Sequence, residues 1–215
     1  MERTPHGFTL IELLVVITII AVLAGIAFPV FSSVQERARI TQDLNNLRQL
    51  GIGLQTYLND NESVLPAGIW MTSLHPKYLP AWKIFESPFD QRTPSEDDAT
   101  APISYGMNIN SLGLATDKIV RPTAFILMAP AQSRGTIVAF TGTPAIGVTV
   151  LKDSSFPGGA PTGGTQNKRT RIDALYGDLH VGILTWSDFV LDQDAGNPEA
   201  DANYRWDPAG HGNPP

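Results

Sequence analysis

The feature that most constrains this chain is an uninterrupted apolar run near its N-terminus. No charged side chain occurs from Leu13 to Gln35, a run of 23 positions. An α-helix rises by about 1.5 Å per residue, so a helix of this length crosses the ~30 Å hydrocarbon core of a bilayer. The sequence therefore predicts one membrane-spanning helix in this part of the chain.

A single carboxylate, Glu12, lies at the N-terminal edge of this run. Leu10 and Ile11 precede it, and apolar residues follow it at positions 13–17. A carboxylate at this depth in a membrane costs several kcal/mol unless it is protonated or paired. We therefore expect Glu12 to have a specific partner.

Two simpler classes of N-terminal segment fit this pattern less well. A cleaved secretory signal has an apolar core of about 7–15 residues followed by a small-residue cleavage site. Here the run is longer, and no such site with a polar boundary stands between Pro29 and Arg39. A simple anchor helix keeps its polar residues outside the span, whereas Glu12 lies within it.

The segment GFTLIE at residues 7–12, followed by the apolar run with Pro29 inside it, resembles the prepilin signature of type IV pilins and of type II secretion pseudopilins. The resemblance covers about the first 34 residues. It implies that a prepilin peptidase cleaves between Gly7 and Phe8, that Phe8 becomes the N-methylated first residue, and that Glu12 is the assembly glutamate. It also implies partners: other pilin or pseudopilin subunits, an inner-membrane assembly platform and the lipid bilayer.

The chemistry of Glu12 agrees with the role that the resemblance implies. Cleavage exposes the amine of Phe8 as a cation at the membrane edge, where Glu12 of a neighbouring, axially staggered helix is a suitable partner. A buried carboxylate is tolerated when it is paired, so this pair favours docking of the next subunit. The span is then predicted to be an assembly device as well as an anchor.

Composition narrows the remaining classes of function. The net charge is −6 and no cluster of Lys or Arg follows the apolar run, so we expect no direct nucleic-acid binding. The chain contains no cysteine, which excludes a disulfide framework and a thiolate zinc site. We expect no cofactor and no metal. Positive charges lie on both sides of the span and do not orient it, so only the resemblance implies a periplasmic C-terminal domain.

A helical period continues after the apolar run, as far as about Tyr57. Its apolar face, predicted to pack in the core, contains Ile40, Leu44, Leu47, Leu54 and Leu58. The residues predicted to face largely elsewhere are Glu36, Arg39, Asp43, Asn46 and Gln49. Gly51 and Gly53 are predicted to let the helix lie close to a sheet.

Six short segments rich in β-branched or aromatic residues are predicted as strands, at 103–108, 123–129, 136–140, 146–151, 172–176 and 179–185. The predicted fold class is α+β, with a long N-terminal α-helix packed on a C-terminal globular domain that has an antiparallel β-sheet and long loops. The predicted organisation is a leader at 1–7, a transmembrane and assembly helix at 8–34, an amphipathic continuation at 35–58 and a periplasmic globular domain at 59–215.

The C-terminal region resembles a subset of prepilin-like proteins with larger domains. The matching residues are Tyr78-Leu79, Phe85, Ser87-Pro88, Tyr105-Gly106-Met107-Asn108 and Asp178-Leu179-His180-Val181. Ser87 replaces a cysteine of that subset, and Leu179 replaces a glycine. The last group is predicted to form a hairpin with a tight turn at Gly177-Asp178.

Two groups of polar residues suggest a catalytic or metal-binding site, but each has a simpler interpretation. His180 lies close to Asp178, yet there is no metal or nucleophile motif around it, so a structural histidine is preferred. The acidic tail offers oxygen ligands for calcium but lacks EF-hand spacing, so a solvated loop is preferred. Its candidate ligands are Asp192, Asp194, Asn197, Glu199 and Asp201.

The sequence therefore predicts a pilin-like structural subunit, a pseudopilin, and not an enzyme. We expect it to be a single-pass inner-membrane protein that assembles through its helix into a type II secretion pseudopilus or a type IV pilus-like fibre. The alternative is a membrane-tethered periplasmic binding domain that uses the helix only for export and anchoring, with a ligand site near His180.

Overall fold

The computed structural model describes residues 9–89, 105–130, 139–140, 165–191 without 169, and 194–210 without 195 and 198. The chain divides into two compact units, residues 1–39 and residues 40–215. Helix α1, Leu10–Asp60, contributes to both units and ends three residues after the predicted Tyr57.

The second unit contains a five-stranded sheet in the order β3-β1-β2-β4-β5. The strands are β1 Tyr105–Asn108, β2 Ile126–Pro130, β3 Ala139–Phe140, β4 Arg171–Tyr176 and β5 Val181–Thr185. The four longer strands pair antiparallel, and the short β3 pairs parallel with β1. The predicted α+β fold with an antiparallel sheet is confirmed. The strand predicted at 146–151 lies outside the described residues, and so do positions 136–138 of the strand predicted at 136–140.

The second unit also contains several short helical segments. Helix α2 is Trp70–Leu74 and helix α3 is Trp186–Val190. Single 3₁₀ turns occur at Trp82–Phe85, Ile109–Ser111, Thr116–Lys118 and Asp201–Tyr204. The fully buried side chains of its core include Leu47, Leu50 and Leu54 of α1 together with Trp70, Phe85, Phe125 and Phe189.

Two glycines of α1 bring the helix close to its neighbours, but only Gly51 lies against the sheet as predicted, because Leu79, the neighbour of Gly53, lies outside the strands. A Cβ atom at Gly51 would lie 3.1 Å from Cδ1 of Leu175 in β4, and one at Gly53 would lie 2.6 Å from Cγ of Leu79. Real Cβ atoms do not approach other atoms as closely as this second distance, so a side chain at position 53 would require Leu79 to move.

The predicted polar face of α1 is wrong at Asp43 and Asn46. Asp43 is fully buried and Asn46 is 7% exposed. The side-chain amide of Asn46 donates to the backbone oxygen of Glu86, and Asp43 accepts hydrogen bonds from two hydroxyl groups described below. These partners, which are distant in sequence, compensate for the loss of water and allow both side chains to face the domain interior.

The predicted hairpin is present, and so is its tight turn at Gly177-Asp178, where the N–H of Leu179 donates to the oxygen of Tyr176 at 2.9 Å. Strands β4 and β5 pair from Arg171↔Thr185 to Leu175↔Val181. The connection takes four residues, 177–180, and Leu179 adopts the left-handed region at φ +66°. This is the position at which the resembling subset has glycine, the residue that adopts this conformation without steric cost.

Candidate functional site

The N-terminal part of α1 presents a continuous apolar surface. All of its large apolar side chains between positions 10 and 34 are exposed, from 45% at Val16 to 81% at Leu10. Among the described residues, α1 is the one helix that is long and apolar enough to cross a membrane. An apolar surface of this extent marks contact with lipid or with another protein.

Glu12 lies in the first turn of α1, where it contacts Thr9. Its Oε2 accepts hydrogen bonds from the backbone N–H of Thr9 at 2.8 Å and from the Thr9 hydroxyl at 2.7 Å. The backbone N–H of Glu12 donates to Oγ1 of Thr9 at 3.3 Å. This reciprocal arrangement is a capping box, which satisfies N–H groups that a helix start leaves without partners.

The sequence interpretation missed this local partner, although the Thr-x-x-Glu spacing of residues 9–12 is its usual signal. Within a single chain, the Glu12 carboxylate is therefore already held by its own helix start. The other two predicted site residues, Gly7 and Phe8, lie outside the described residues. Phe8 directly precedes Thr9 in the sequence, so the implied new amine belongs to the residue next to this cap.

His180 lies at the end of the β4–β5 hairpin and is fixed by two neighbours. Its Nδ1 is 2.5 Å from Oδ1 of Asp178, and its ring stacks on Tyr176 with centroids 4.2 Å apart and an interplanar angle of 6°. No group of three His, Cys, Asp or Glu side chains suited to a metal occurs in the described part of the chain. The geometry agrees with a structural histidine that orders the hairpin end.

The described part of the acidic tail is held by an arginine. Nη2 of Arg121 lies 2.8 Å from Oε2 of Glu199, and Nη1 lies 3.2 Å from Oδ1 of Asp201. The same guanidinium lies over the ring of Tyr204, 4.4 Å from its centroid. Two of the candidate calcium ligands therefore contact a protein cation. Asp192, another of the candidates, lies outside the described residues.

A buried pair of carboxyl groups, Asp43 of α1 and Asp173 of β4, was not predicted from the sequence. Both residues are fully buried. Oδ1 of Asp43 accepts hydrogen bonds from Oγ of Ser87 and from the hydroxyl of Tyr105, each at 2.6 Å. The signal in the sequence was the position of Asp43, which lies four residues before Leu47 and therefore on the buried stripe of the helix.

The environment of this pair raises the pKa of both carboxyl groups. Burial, followed by the nearby Asp43 carboxyl, raises the pKa of Asp173 to about 8, and the neighbouring Gln166 side chain opposes this rise. Burial also raises the pKa of Asp43, against hydrogen bonds from Ser87 and Tyr105 that favour its charged form. The two aspartates thus compete for protons within the domain core.

Comparisons with known proteins concern the N-terminal part of the chain. The family profile described as the prokaryotic N-terminal methylation motif matches residues 3–28. A probable minor fimbrial protein of Dichelobacter nodosus is 38% identical over 66 residues, which cover 31% of this chain and 42% of that protein. The type IV major fimbrial protein FimA of the same organism is 34% identical over 74 residues, covering 34% and 47%.

A third relative comes from another organism. The type IV major pilin protein PilA of Myxococcus xanthus (strain DK1622) is 38% identical over 57 residues, which cover 26% of each chain. The chain thus spans less than half the length of the curated relatives it matches. No solved structure matches it significantly. The chain carries the methylation motif of prokaryotic pilins, and its relatives are type IV fimbrial and pilin proteins, so the predicted resemblance is confirmed.

Proposed function

We propose that this chain is a pilin-like structural subunit whose N-terminal helix anchors it in a membrane and joins it to other subunits of a fibre. The observation that carries the proposal is the exposed apolar surface of α1 between residues 10 and 34. This surface overlaps the matched methylation motif and needs lipid or neighbouring helices to cover it. The relatives are structural subunits, and no enzymatic activity is part of the proposal.

The proposal includes processing of the N-terminus. A prepilin peptidase cleaves between Gly7 and Phe8, and the new amine of Phe8 is methylated. The motif match at residues 3–28 spans this bond. Before assembly the subunit is then a single-pass inner-membrane protein with its C-terminal domain in the periplasm. Its partners are the peptidase, an inner-membrane assembly platform and other subunits of a type II secretion pseudopilus or a related type IV pilus-like fibre.

Glu12 is proposed to exchange one partner for another during assembly. In the single chain its carboxylate caps the helix through Thr9. In a fibre, the same carboxylate contacts the Phe8 amine of an adjacent subunit. A paired carboxylate and amine are tolerated in a low-dielectric setting, whereas either group without a partner is not, so the pair favours correctly staggered neighbours.

The test is the ratio of protein in sheared fibres to protein in the membrane fraction of the native host. We expect Glu12→Leu to remain cleaved and membrane-bound, because the helix becomes more apolar. Its fibre fraction falls strongly, because each junction leaves a buried amine without its partner, at a cost of roughly 3–5 kcal/mol. Glu12→Gln keeps polarity without charge and restores assembly only in part.

A matched variant separates assembly from helix capping. Thr9→Ala removes the hydroxyl of the cap, which costs about 1 kcal/mol of helix stability, but it leaves the Glu12 carboxylate in place. We expect Thr9→Ala to enter fibres far better than Glu12→Leu. Equal fibre ratios for the parent chain and both Glu12 variants would contradict the assembly role and would favour a helix that serves only as an anchor.

A further inference from the structure

The carboxyl pair of Asp43 and Asp173 joins two elements of the second unit that are distant in sequence. Asp43 belongs to α1 and Asp173 to β4, and neither side chain reaches solvent. Ser87 and Tyr105 contact the Asp43 side of the pair, and Gln166 lies beside Asp173. The site thus gathers residues from a helix, two strands and two loops into one polar cluster within the core.

The hydrogen bonds of the pair indicate which carboxyl carries the charge. Two hydroxyl groups donate to the same oxygen of Asp43 at 2.6 Å, a separation typical of an O–H donor and an ionised acceptor. Asp43 Oδ2 and both oxygens of Asp173 have no donor among the described residues when both groups are ionised. A proton on Asp173 supplies the missing donor, because a hydrogen bond between the two side chains lowers the pKa of Asp43 and raises the pKa of Asp173.

Among the described residues, none of the charged or titratable groups around the pair is a cation that could compensate for its negative charge. Those facing it are Tyr105 from β1 and the two aspartates themselves, with the neutral side chains of Ser87, Gln166 and Asn46 completing the cluster. Glu86, next to Ser87, pairs with Lys83 at 2.7 Å instead. Within the described part of the chain, two ionised carboxylates at this site would therefore repel each other without a counter-charge.

We propose that Asp43 and Asp173 share one proton in the folded domain, and that this proton fastens α1 to β4 until alkaline conditions remove it. The shared proton converts a repulsive pair into a hydrogen-bonded one. Its loss leaves two adjacent carboxylates within the core, which weakens the contact between the helix and the sheet. The folded domain thus keeps this hydrogen bond in acidic to neutral surroundings and loses it under alkaline conditions.

The direction of the pH dependence follows from proton binding. Below the ordinary Asp pKa of about 3.9, the folded and unfolded chains both hold the proton. From there to about pH 8, where Asp173 titrates in the folded chain, unfolding releases the proton and stability falls as pH rises. Because unfolding releases one such proton, the unfolding equilibrium constant increases by up to about tenfold for each unit by which the pH rises. Above about pH 8 this contribution becomes constant.

The experiment uses the full chain in detergent micelles and follows thermal unfolding through the tryptophans. All four tryptophans of the chain lie in the second unit, so their fluorescence reports on this domain. We expect the melting temperature to fall between about pH 5 and pH 8. Asp173→Asn, whose amide donates to Asp43 without titrating, should show a much smaller fall. Asp117→Asn, in which an exposed carboxylate is changed, should retain the slope of the parent chain.

A direct measurement keeps the proposal testable if Asp173→Asn does not fold. Carbon-13 NMR of labelled aspartate carboxyl groups in the parent chain should show one aspartate that remains protonated at neutral pH and loses its proton near pH 8. Aspartates that are all ionised at neutral pH would overturn the proposal. It would also be overturned if calcium raised the melting temperature of the parent chain but not of Asp173→Asn, because a cation would then hold the pair.

Discussion

Glu12 and Asp43 are two acidic residues of the same helix, and they differ in exposure and in the partners of their carboxylates. Glu12 is exposed, and its partner Thr9 lies three residues away in the same turn. Asp43 is fully buried, and its hydroxyl partners lie 44 and 62 residues away in sequence. A neighbouring chain can reach the carboxylate of Glu12 but not that of Asp43. We therefore assign assembly to Glu12 and cohesion of the domain to Asp43, both as proposals.

Processing is tested at a single residue, Gly7. We expect Gly7→Val to leave the leader attached, because the added side chain crowds the bond that the peptidase must reach. Intact mass of the chain, isolated from hosts with and without the peptidase, measures the outcome. The control is Gly25→Ala, at a helix position where an added Cβ contacts nothing within 4 Å. A fully cleaved Gly7→Val product would reject the proposed cleavage site.

At the scale of elements, the contact between α1 and its neighbours depends on two glycines that differ in how much room they have. A Cβ at Gly53 would lie within 2.9 Å of three carbon atoms of Leu79. The nearest atoms to a Cβ at Gly51 would be the flexible end of Leu175 at 3.1 Å, followed by the backbone oxygen of Leu179 at 3.5 Å and its Cβ at 3.8 Å. We therefore expect the helix to tolerate an added methyl group better at position 51 than at position 53.

We expect Gly53→Ala to destabilise the domain and Gly51→Ala to be nearly neutral. Overpacking costs about 1–3 kcal/mol, whereas replacing glycine by alanine within a helix gains about 1 kcal/mol. The strain exceeds this gain only at Gly53, where the branch carbon of Leu79 blocks the new atom. Chemical unfolding of the full chain, followed by tryptophan fluorescence, compares the two variants. A Gly53→Ala variant as stable as the parent chain would show that Leu79 repacks freely.

The same helix shows what its sequence can and cannot predict. The apolar period identified the buried face correctly at Leu47 and Leu54, which are fully buried. It fails at Asp43, whose polar side chain indicates an exposed position although it lies on the buried face of the helix. The burial of that carboxylate depends on Ser87 and Tyr105, whose approach is a property of the folded chain and not of the helical period. Local patterns therefore locate a face, but not its distant partners.

The β4–β5 hairpin shows the same limit for turns. Alternating residues predicted both strands, but not the left-handed conformation of Leu179. Leu179 takes part in the hairpin turn itself, in which its N–H donates to the oxygen of Tyr176 and the N–H of Tyr176 donates to the oxygen of His180. At the candidate assembly site the motif and Glu12 were predicted, whereas the cap by Thr9 was missed despite its local signal.

At the scale of the whole molecule, the chain contains two regions with opposite requirements for solvent. Between residues 10 and 34 the large apolar side chains of α1 are exposed. From Leu47 onwards the helix contributes fully buried residues to a core that also contains Trp70 and Phe125. A region with its own core can fold independently, whereas an exposed apolar helix needs lipid, detergent or other helices.

This difference predicts how truncation changes the protein. The mature chain beginning at Phe8 should require detergent, whereas a chain beginning near Gln35 should be soluble and folded, because it retains the unit at residues 40–215 and loses the exposed apolar surface. Size-exclusion chromatography and circular dichroism without detergent measure both properties. A variant of the truncated chain with Leu47→Asp is the control, since a charge without a partner in the core should unfold it. If the truncated chain is itself insoluble and unfolded, residues 8–34 are part of the folded core, and the helix is not the separate anchoring and assembly element that we propose.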